Sequence, residues 1–470
     1  MSTFVRFYNA PIFRNHRPVL NLLAHPIHIL YNLGIALYGA GIRIAAITNQ
    51  KARQMVEGWA RTWNTEPLKG EKVAWFHASS LGEFEQARPV IKKFRDEHPD
   101  FKVWVTFFSP SGYEVRKNCE EAERVTYLPI DTPRNARRLV ELINPEVAFF
   151  VKYDFWFNLL RELKSRKVKT YIFSAIFRKS HYFFKPYGVW FIKQLRCFDH
   201  IFVQNEESLR LLKDGGVDWC SVAGDTRFDR VKEIAERSEG DVTVERFLAG
   251  NNGKCIVAGS SWEPDEENLK AYLDSCQGTV RLVLAPHVIS ESHLERIENL
   301  FGKMRCVRYS KACKEQVPTE NKRYANILII DNIGLLSRIY RYADVAYIGG
   351  GFGRGIHNIL EALTYEVPVV FGPNHTKFQE AKDILRLGGG FTYRNPESLA
   401  EVMDRLLSDD HYRQQASQVC KKYVESNIGS TAKIMTTLNL EMSCESERNK
   451  TCFNCRTETD IDSEGGNLEP

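Results

Sequence analysis

The sequence predicts an α/β protein with two doubly wound parallel sheets, and two observations support this prediction. Beyond residue 70, short apolar runs rich in β-branched and aromatic residues alternate with amphipathic stretches, as strands and helices do in parallel sheets covered on both faces. The series pauses after residue 224 and starts again at residue 255, which indicates a second sheet.

Eleven segments have the composition of buried strands. The first series comprises Val73–Ala78, Val103–Phe108, Val147–Val151, Thr170–Ala175, His200–Val203 and Val222–Gly224. The second comprises Cys255–Ala258, Arg281–Ala285, Ile327–Ile330, Val345–Ile348 and Val367–Phe371. The break between the two series is marked by a charged helix over Arg230–Arg237. Turn residues follow it at Ser238–Gly240 and Gly250–Gly253.

These features predict four regions: a membrane-associated segment (1–50), a first Rossmann-like domain (51–237), a second (238–442) and a disordered tail (443–470). Cys452 and Cys455 form a CxxC pair in the polar tail, but a zinc site needs two further ligands and only Cys444 lies near. The chain of 470 residues has a net charge of +5, which does not indicate a nucleic-acid binder.

The segment Ile27–Ile47 is apolar but is interrupted by His28, Asn32 and Arg43. Basic residues flank it on both sides, which fits a helix lying in a membrane interface better than a membrane span. A helix packed on the body of the protein explains the pattern equally well.

Glu83 follows the first predicted strand in the segment His77-Ala-Ser-Ser-Leu-Gly-Glu83. It falls at the carboxyl end of that strand, where doubly wound sheets bind their ligands. A general base at this position needs desolvation or a neighbouring negative charge to raise its pKa against the helix dipole. The alternative is a purely structural role for Glu83 in a capping box, because Ser80 precedes it by three residues.

A glycine-rich loop follows the strand at Val345–Ile348 and leads through His357 and Asn358 into a predicted helix. Glu361 lies one helical turn beyond His357, so both could face one ligand. Its five glycines within residues 349–355 would let the backbone approach a phosphate, and a carboxylate at Glu361 suits ribose hydroxyls. A tight loop with a capping Asn358 is the alternative. Weaker candidates of the same kind are Ser260 and Ser261 after one strand, and Pro286 and His287 after the next.

Together these segments resemble the Kdo (3-deoxy-D-manno-octulosonic acid) transferases of lipopolysaccharide synthesis. The matching parts are HASSLGE at 77–83, AGSSWEPDEEN at 258–268, LAPH at 284–287, DNIGLLSRIYRYADVAYIGG at 331–350, GIHNILEA at 355–362 and VPVVFGPNHTKFQEA at 367–381.

The resemblance implies a GT-B fold, in which two Rossmann-like domains face a cleft. It implies a glycosyltransferase that moves Kdo from CMP-Kdo to a lipid A precursor (lipid IVA) with inversion, requiring neither a metal nor another cofactor. The first domain would bind the acceptor and the second would bind CMP-Kdo, at the cytoplasmic side of the inner membrane.

The resemblance also assigns roles to residues. Glu83 becomes the general base. CMP would be bound by Pro286 and His287, by Ile333, Gly334 and Leu335, and by Asn358, Ile359, Leu360 and Glu361, with Ser260, Ser261 and His357 as possible additional donor contacts.

Three departures from the family pattern concern donor and active-site details. His287 stands where many members have Arg. The loop that usually reads Gly-Glu-Leu is Gly334-Leu335-Leu336 here, so a carboxylate contact is lost there. The acidic Glu-Thr-Glu-Leu-Trp segment of the family appears as Val151-Lys-Tyr-Asp-Phe-Trp156 here, where only the acidic Asp154 and the aromatic Trp156 keep its character.

The segment Phe177–Tyr187 is rich in cations and aromatic residues, which suits a phosphorylated, acylated acceptor. An ordinary surface helix with a buried aromatic side is the alternative. Two other functions remain open for the whole chain: another GT-B enzyme such as a UDP-sugar transferase or epimerase, or a non-catalytic, membrane-bound nucleotide-sugar sensor.

Overall fold

The computed structural model describes residues 17–249, 253–276, 280–314 and 325–441. They form two compact units, one from the residues up to Thr226 together with those from Gly429 onward, and the other over Arg227–Ile428. Each unit contains one seven-stranded sheet. The strand pairings are parallel in both sheets, which confirms the predicted architecture of two doubly wound α/β units.

The first sheet has the strand order β3-β2-β1-β4-β5-β6-β7. Its strands are β1 (Lys72–Ala78), β2 (Phe101–Phe107), β3 (Arg124–Tyr127), β4 (Val147–Val151), β5 (Lys169–Ala175), β6 (His200–Val203) and β7 (Cys220–Val222). The accompanying helices are α1 (Arg17–Ala45), α2 (Gln50–Thr62), α3 (Leu81–Glu97), α4 (Pro110–Arg116), α5 (Pro133–Ile143), α6 (Phe157–Ser165), α7 (Val189–Gln194) and α8 (Glu206–Asp214), with 3-10 turns at Tyr182–Phe184 and Leu195–Cys197.

The second sheet has the order β10-β11-β9-β8-β12-β13-β14. Its strands are β8 (Lys254–Ser261), β9 (Val280–Pro286), β10 (Cys306–Arg308), β11 (Ile327–Ile329), β12 (Val345–Ile348), β13 (Val369–Phe371) and β14 (Gly390–Thr392). The helices are α9 (Arg227–Arg237), α10 (Val242–Leu248), α11 (Glu263–Ser275), α12 (Glu291–Phe301), α13 (Tyr309–Cys313), α14 (Leu336–Ile339), α15 (Leu360–Leu363), α16 (Gln379–Leu387), α17 (Pro396–Ser408) and α18 (Asp410–Asn427), with 3-10 turns at Lys303–Arg305 and Tyr340–Tyr342. Residues 430–441 form a last helix, α19, which belongs to the first unit.

The central strands are apolar because both faces of each sheet are covered. In β1, Val73 and Trp75 contribute to the core on one face, whereas Ala74 and Phe76 contribute to the core on the other. Successive side chains of a strand point to opposite faces, so a strand buried on both sides is apolar except where a buried polar side chain is hydrogen-bonded, as His77 is in β1. This explains why the sequence of β1 does not alternate between apolar and polar residues.

Both sheets contain a point at which the direction of strand addition reverses. In the first sheet β1 lies between β2 and β4, and in the second β8 lies between β9 and β12. At such a point the connections leave toward opposite sides and open a crevice at the carboxyl ends of the two strands. Glu83 follows β1, and the glycine-rich loop follows β12, so both predicted ligand segments lie at these reversal points.

Each of the eleven predicted strands overlaps an observed strand, with the largest displacement at Val222–Gly224, where β7 ends at Val222. Three strands were missed: β3, β10 and β14, each at an outer position of its sheet. They are only three or four residues long and contain Arg124, Arg308 and Gly390. Short edge strands lack the apolar run that marks a central strand.

The unit boundaries differ from the predicted ones at both ends of the second unit. Helix α9 belongs to the second unit because Phe228 and Val231 lie in the core beneath its sheet. Helix α19 belongs to the first unit because Ile434, Met435 and Leu438 are buried against the first sheet. The predicted tail at 443–470, with Cys452 and Cys455, and residues 1–16 lie outside the described residues.

Helix α1 has two different sides. On one side, the Tyr31 hydroxyl donates to Asp131 Oδ2 at 2.6 Å, the His28 ring lies 3.0 Å from Asn158 Oδ1, and Asn158 Nδ2 donates to Asn32 Oδ1 at 2.8 Å. The other side exposes large apolar residues: Leu30, Leu33, Leu37 and Ile44. The helix therefore packs on the body of the protein by one face, as one of the two sequence-based alternatives expected, and leaves its apolar face uncovered.

We predict that Leu438→Ala lowers the free energy of unfolding of the first unit by about 2–5 kcal/mol, because a fully buried leucine leaves a cavity. Leu440→Ala, the same substitution at a 63% exposed position of α19, should change it by less than about 0.5 kcal/mol. Tryptophan fluorescence during urea unfolding reports on this unit, because Trp262 is the one tryptophan among eight that lies outside it. Equal effects of the two substitutions would contradict the observed packing of α19.

Candidate functional site

Glu83 lies in the first turn of α3, directly after the carboxyl end of β1. Ser80 is the N-cap of this helix, and its backbone N–H donates to Glu83 Oε2 at 3.0 Å. The capping contact anticipated from the spacing of Ser80 and Glu83 is therefore present. This contact engages Oε2 of the carboxylate, and a catalytic role of the carboxylate is compatible with it.

Burial raises the pKa of Glu83, because the half-buried carboxylate is poorly solvated. The positive charge of Lys152 and the hydrogen bonds from Ser79 and Ser80 act in the opposite direction without cancelling the effect of burial. A carboxylate that holds its proton more tightly than usual is a stronger base, so the environment of Glu83 favours proton abstraction.

A buried polar network surrounds the turn that precedes Glu83. The Ser79 hydroxyl donates to Asp154 Oδ1 at 2.5 Å, and the Ser79 backbone N–H donates to Asp154 Oδ2 at 3.2 Å. Asp154 follows β4, the strand beside β1 on the other side of the reversal point. This network therefore ties together the two loops that border the crevice of the first sheet.

His77 completes the network as a neutral ring. Trp156 Nε1, which can only donate, lies 3.1 Å from His77 Nε2, so that nitrogen accepts and the ring hydrogen resides on Nδ1, 2.8 Å from Thr106 Oγ1. Complete burial lowers the pKa of His77 to about 3. The approach of His77 Nε2 to Asp154 at 3.6 Å is consequently a contact with a neutral imidazole rather than an ion pair.

Asp154 and Glu83 form a coupled pair of carboxyl groups. The pKa of Asp154 is well above its usual value, first because the side chain is buried and second because Glu83 places a negative charge nearby. Ionisation of either group opposes ionisation of the other. The sequence pointed to Glu83 and retained Asp154 and Trp156 only as remnants of a motif, whereas the role of His77 was missed because a strand residue resembles core.

In the second unit, three aromatic rings meet at the carboxyl ends of β8, β9 and β12. Trp262 stacks on His287 with ring centroids 4.5 Å apart, and His287 stacks on His357 at the same distance. Trp262 Nε1 also donates to His357 Nε2 at 3.1 Å. Burial and the nearby His287 lower the pKa of His357 to about 4, so its ring is neutral at physiological pH. The sequence had singled out both histidines but not Trp262.

The glycine-rich loop packs tightly against its surroundings. A Cβ atom at Gly349 would lie 2.3 Å from the Ser260 carbonyl oxygen, and one at Gly351 would lie 2.5 Å from Gly372. Asp265 Oδ2 accepts a hydrogen bond from the Gly350 N–H at 2.9 Å. Close packing thus accounts for part of the glycine content, in addition to the predicted approach of the backbone to a phosphate.

The segment after this loop differs from expectation in one respect. His357 and Glu361 were expected one turn apart on a helix, but α15 begins only at Leu360. Asn358 caps this short helix by accepting from the Leu360 N–H at 3.2 Å, and its Nδ2 donates to Glu361 at 3.0 Å. The side chains of Ile359 and Leu360 are buried in the core, so only their backbone groups are available to a ligand.

The remaining predicted donor contacts also lie at strand ends. Ile333 is 93% exposed in the loop after β11, and Gly334 beside it has a left-handed backbone, φ 95°. Their neighbour Leu335 is buried, as is Pro286 at the end of β9. Ser260, the residue before the end of β8, has φ 54°, and the Ser261 hydroxyl donates to the buried Glu266 at 3.1 Å.

Among the described residues, no group of three or more His, Cys, Asp and Glu side chains is placed to hold a metal ion. The groups present at the strand-end sites are carboxylates, imidazoles and backbone groups, together with Lys152 in the first unit.

Residues 52–230 match the family model described as 3-Deoxy-D-manno-octulosonic-acid transferase (kdotransferase). The chain is 27% identical over 356 residues to the 3-deoxy-D-manno-octulosonic acid transferase of Aquifex aeolicus, covering 74% of this chain and 90% of that protein. It is 27% identical over 361 residues to the enzyme of the same name from Chlamydophila psittaci, covering 74% and 80%.

Among solved structures, the chain is similar to UDP-GlcNAc 2-epimerase from Neisseria meningitidis bound to UDP-GlcNAc, with a TM-score of 0.56 and 15% identity over 79% of this chain and 100% of that one. A putative UDP-N-acetylglucosamine 2-epimerase from Listeria monocytogenes gives the same TM-score at 13% identity, over 80% and 97%. At this level of identity the likeness concerns the fold, which is of the GT-B type.

We predict that Asp154→Asn removes a pH dependence of folding. Because the pKa of Asp154 is raised in the folded state, its contribution is full below the ordinary aspartate pKa near 4 and is lost as the pH rises toward the raised value. Relative to wild type, the free energy of unfolding of the variant should therefore increase as the pH rises from about 4 toward the raised pKa of Asp154, by at most about 1.4 kcal/mol per pH unit.

Urea titrations at several pH values measure this difference, with Asp218→Asn at an exposed carboxylate of the same unit as the control. A difference between Asp154→Asn and wild type that stays constant with pH would show that Asp154 is not held protonated by the fold.

Proposed function

Because the chain belongs to the family of 3-deoxy-D-manno-octulosonic acid transferases, we propose that it transfers Kdo from CMP-Kdo to a lipid A precursor in lipopolysaccharide biosynthesis. It is a glycosyltransferase enzyme of the GT-B type. The single observation that carries the assignment of roles is Glu83, a desolvated carboxylate with a raised pKa at the reversal point of the first sheet.

In the proposed reaction Glu83 removes the proton from the attacking hydroxyl of the acceptor. The electron pair of that oxygen forms the new bond to the anomeric carbon of Kdo, while the bond from this carbon to the phosphate oxygen breaks and CMP departs with its electron pair. Attack from the face opposite the leaving group inverts the anomeric configuration. Glu83 carries the abstracted proton afterwards and releases it to water.

We assign donor binding to the second unit. CMP would contact Pro286 and His287, Ile333–Leu335, and Asn358–Glu361, with Ser260, Ser261 and His357 as additional contacts. Their common location at the carboxyl ends of β8, β9, β11 and β12 supports this assignment, because open α/β sheets bind ligands there. The Glu361 carboxylate would accept hydrogen bonds from ribose hydroxyls, and exposed backbone groups would contact the phosphate.

We predict that Glu83→Gln lowers the rate of Kdo transfer by about a hundredfold or more, because an amide cannot take up the proton. The assay incubates the full chain with CMP-Kdo and a tetraacylated lipid A precursor, and product mass is counted in increments of Kdo. Wild-type kcat/KM should rise with pH through the raised pKa of Glu83, since the ionised form is the base.

Glu97→Gln is the matched control, because Glu97 lies at the opposite end of α3 and is exposed. CMP should raise the melting temperature of Glu83→Gln as it does that of the wild type, since the donor residues lie in the other unit. Full activity in Glu83→Gln would overturn the general-base role, and absence of any Kdo increment with the wild type would overturn the transferase assignment.

We further propose that α1 lies in the surface of the inner membrane on its cytoplasmic side. The stretch Pro26–Ala45 is long and apolar enough to cross a bilayer by length and composition, and 6% of it is buried in the protein. Its polar side is held against the first unit through Tyr31 and Asp131, and spanning the bilayer would require breaking these contacts. An interfacial position keeps them and buries the apolar side in lipid.

We predict that Leu37→Asp weakens flotation of the protein with vesicles of anionic phospholipid, because a charge would enter the apolar layer. Leu37 is 64% exposed, and Leu440→Asp at a 63% exposed position of α19 is the matched control that should leave flotation unchanged. Equal binding of both variants would show that the exposed side of α1 does not contact lipid.

A further inference from the structure

Lys152 occupies the border of the crevice in the first sheet. It is the residue directly after β4, and its backbone N–H donates to the Phe173 carbonyl of β5 at 3.0 Å. In the register of β1 and β4, His77 pairs with Phe150, which brings Lys152 level with Ser79 at the carboxyl edge. The lysine therefore stands beside the turn that leads into Glu83.

The backbone of Lys152 adopts a left-handed conformation, with φ 64°. This region is unfavourable for a residue with a Cβ atom, and non-glycine residues that occupy it cluster at functional sites. A glycine at this position would relieve this cost.

The ammonium group of Lys152 influences Glu83 and lies near an aromatic ring. Its charge opposes the effect of burial on the pKa of Glu83. Its Nζ also lies 5.5 Å from the centre of the Tyr153 ring, which in turn packs edge-on against His181 with centroids 6.0 Å apart. The half-buried Lys152 is thus linked through Tyr153 to the segment that carries His181.

This neighbouring segment is basic. Arg178 and Lys179 are exposed, and the charge of Arg178 reaches His181, whose pKa is lowered by burial and by that charge. Tyr182 and Tyr187 expose aromatic surface beside these cations, while Phe177 and Phe183 form the buried side. Positive charge is therefore exposed on the segment that His181 joins to Tyr153, which suits an approaching anion.

We propose that Lys152 is a specificity-determining residue that binds an anionic group, a phosphate or a carboxylate, carried by the acceptor close to the hydroxyl that reacts. This inference rests on the proposed function. Pairing of Lys152 with that anion would weaken its hold on the Glu83 carboxylate, so that the base becomes stronger when the correct acceptor is in place. An acceptor without the anion would bind less tightly and would also meet a weaker base.

The test measures kcat/KM for Kdo transfer in wild type, Lys152→Met and Lys152→Arg, with matched acceptors. The acceptors are the bisphosphorylated tetraacyl disaccharide, the same molecule lacking each phosphate in turn, and the disaccharide that already bears one Kdo and hence a carboxylate. Lys167→Met is the control, because Lys167 is exposed, has a left-handed φ of 60° and precedes β5, at the opposite edge of the same sheet.

We expect removal of the recognised anion to lower kcat/KM of the wild type and of Lys167→Met by about tenfold or more. This is a typical loss for one charge-assisted contact. With the complete acceptor, kcat/KM of Lys152→Met should be lower than that of the wild type by a similar factor. With the acceptor that lacks the recognised anion, kcat/KM of Lys152→Met should be the same as with the complete acceptor. Lys152→Arg should retain most of the discrimination. Loss of discrimination in the first addition identifies a phosphate as the anion, and loss confined to addition onto the Kdo-bearing acceptor identifies a carboxylate.

If Lys152→Met and removal of the anion lowered kcat/KM independently, so that their factors multiplied, the inference would be overturned. A wild type whose kcat/KM did not depend on any anionic group of the acceptor would overturn it as well. Both outcomes would leave the transferase assignment intact. A wild type that transfers Kdo to none of these acceptors would instead overturn the proposed function, and the inference with it.

Discussion

The arrangement of the candidate site depends on one constraint: each parallel sheet reverses its strand order beside its first strand. The connections after β1 and β4, and after β8 and β12, must leave in opposite directions, so their loops cannot close over the strand ends. Polar residues at these ends keep access to ligands although the strands themselves are buried. Glu83 in one unit and the His287–His357 stack in the other both occupy such positions.

Burial decides the protonation states in the first unit more than any individual ion pair does. It lowers the pKa of His77 and raises those of Asp154 and Glu83, so that a neutral imidazole lies beside two carboxyl groups that resist ionisation. The Lys152 charge limits this resistance at Glu83. A base of this kind is adjusted by two opposing influences, desolvation and a nearby cation, and a substrate that changes either one changes its strength.

The sequence predicted the central strands and the position of Glu83 because both leave local signals: a continuous apolar run, and a polar turn at the end of such a run. It missed β3, β10 and β14 because short edge strands lack that signal. It assigned α9 and α19 to the wrong sides of the unit boundary because only tertiary packing shows which core Phe228 and Leu438 enter. Trp262 and His77 escaped notice because ring stacking and buried hydrogen bonds join residues far apart in the chain.

The central claim, that the fold raises the pKa of the Glu83 carboxyl group, is tested most directly by infrared difference spectroscopy of the resting enzyme. The spectrum of Glu83→Gln is subtracted from that of the wild type across a pH titration. A protonated-carboxyl band that persists above the ordinary glutamate pKa, and that is absent from the variant, is the predicted result. A Glu83 band that disappears at or below that ordinary value would contradict the account.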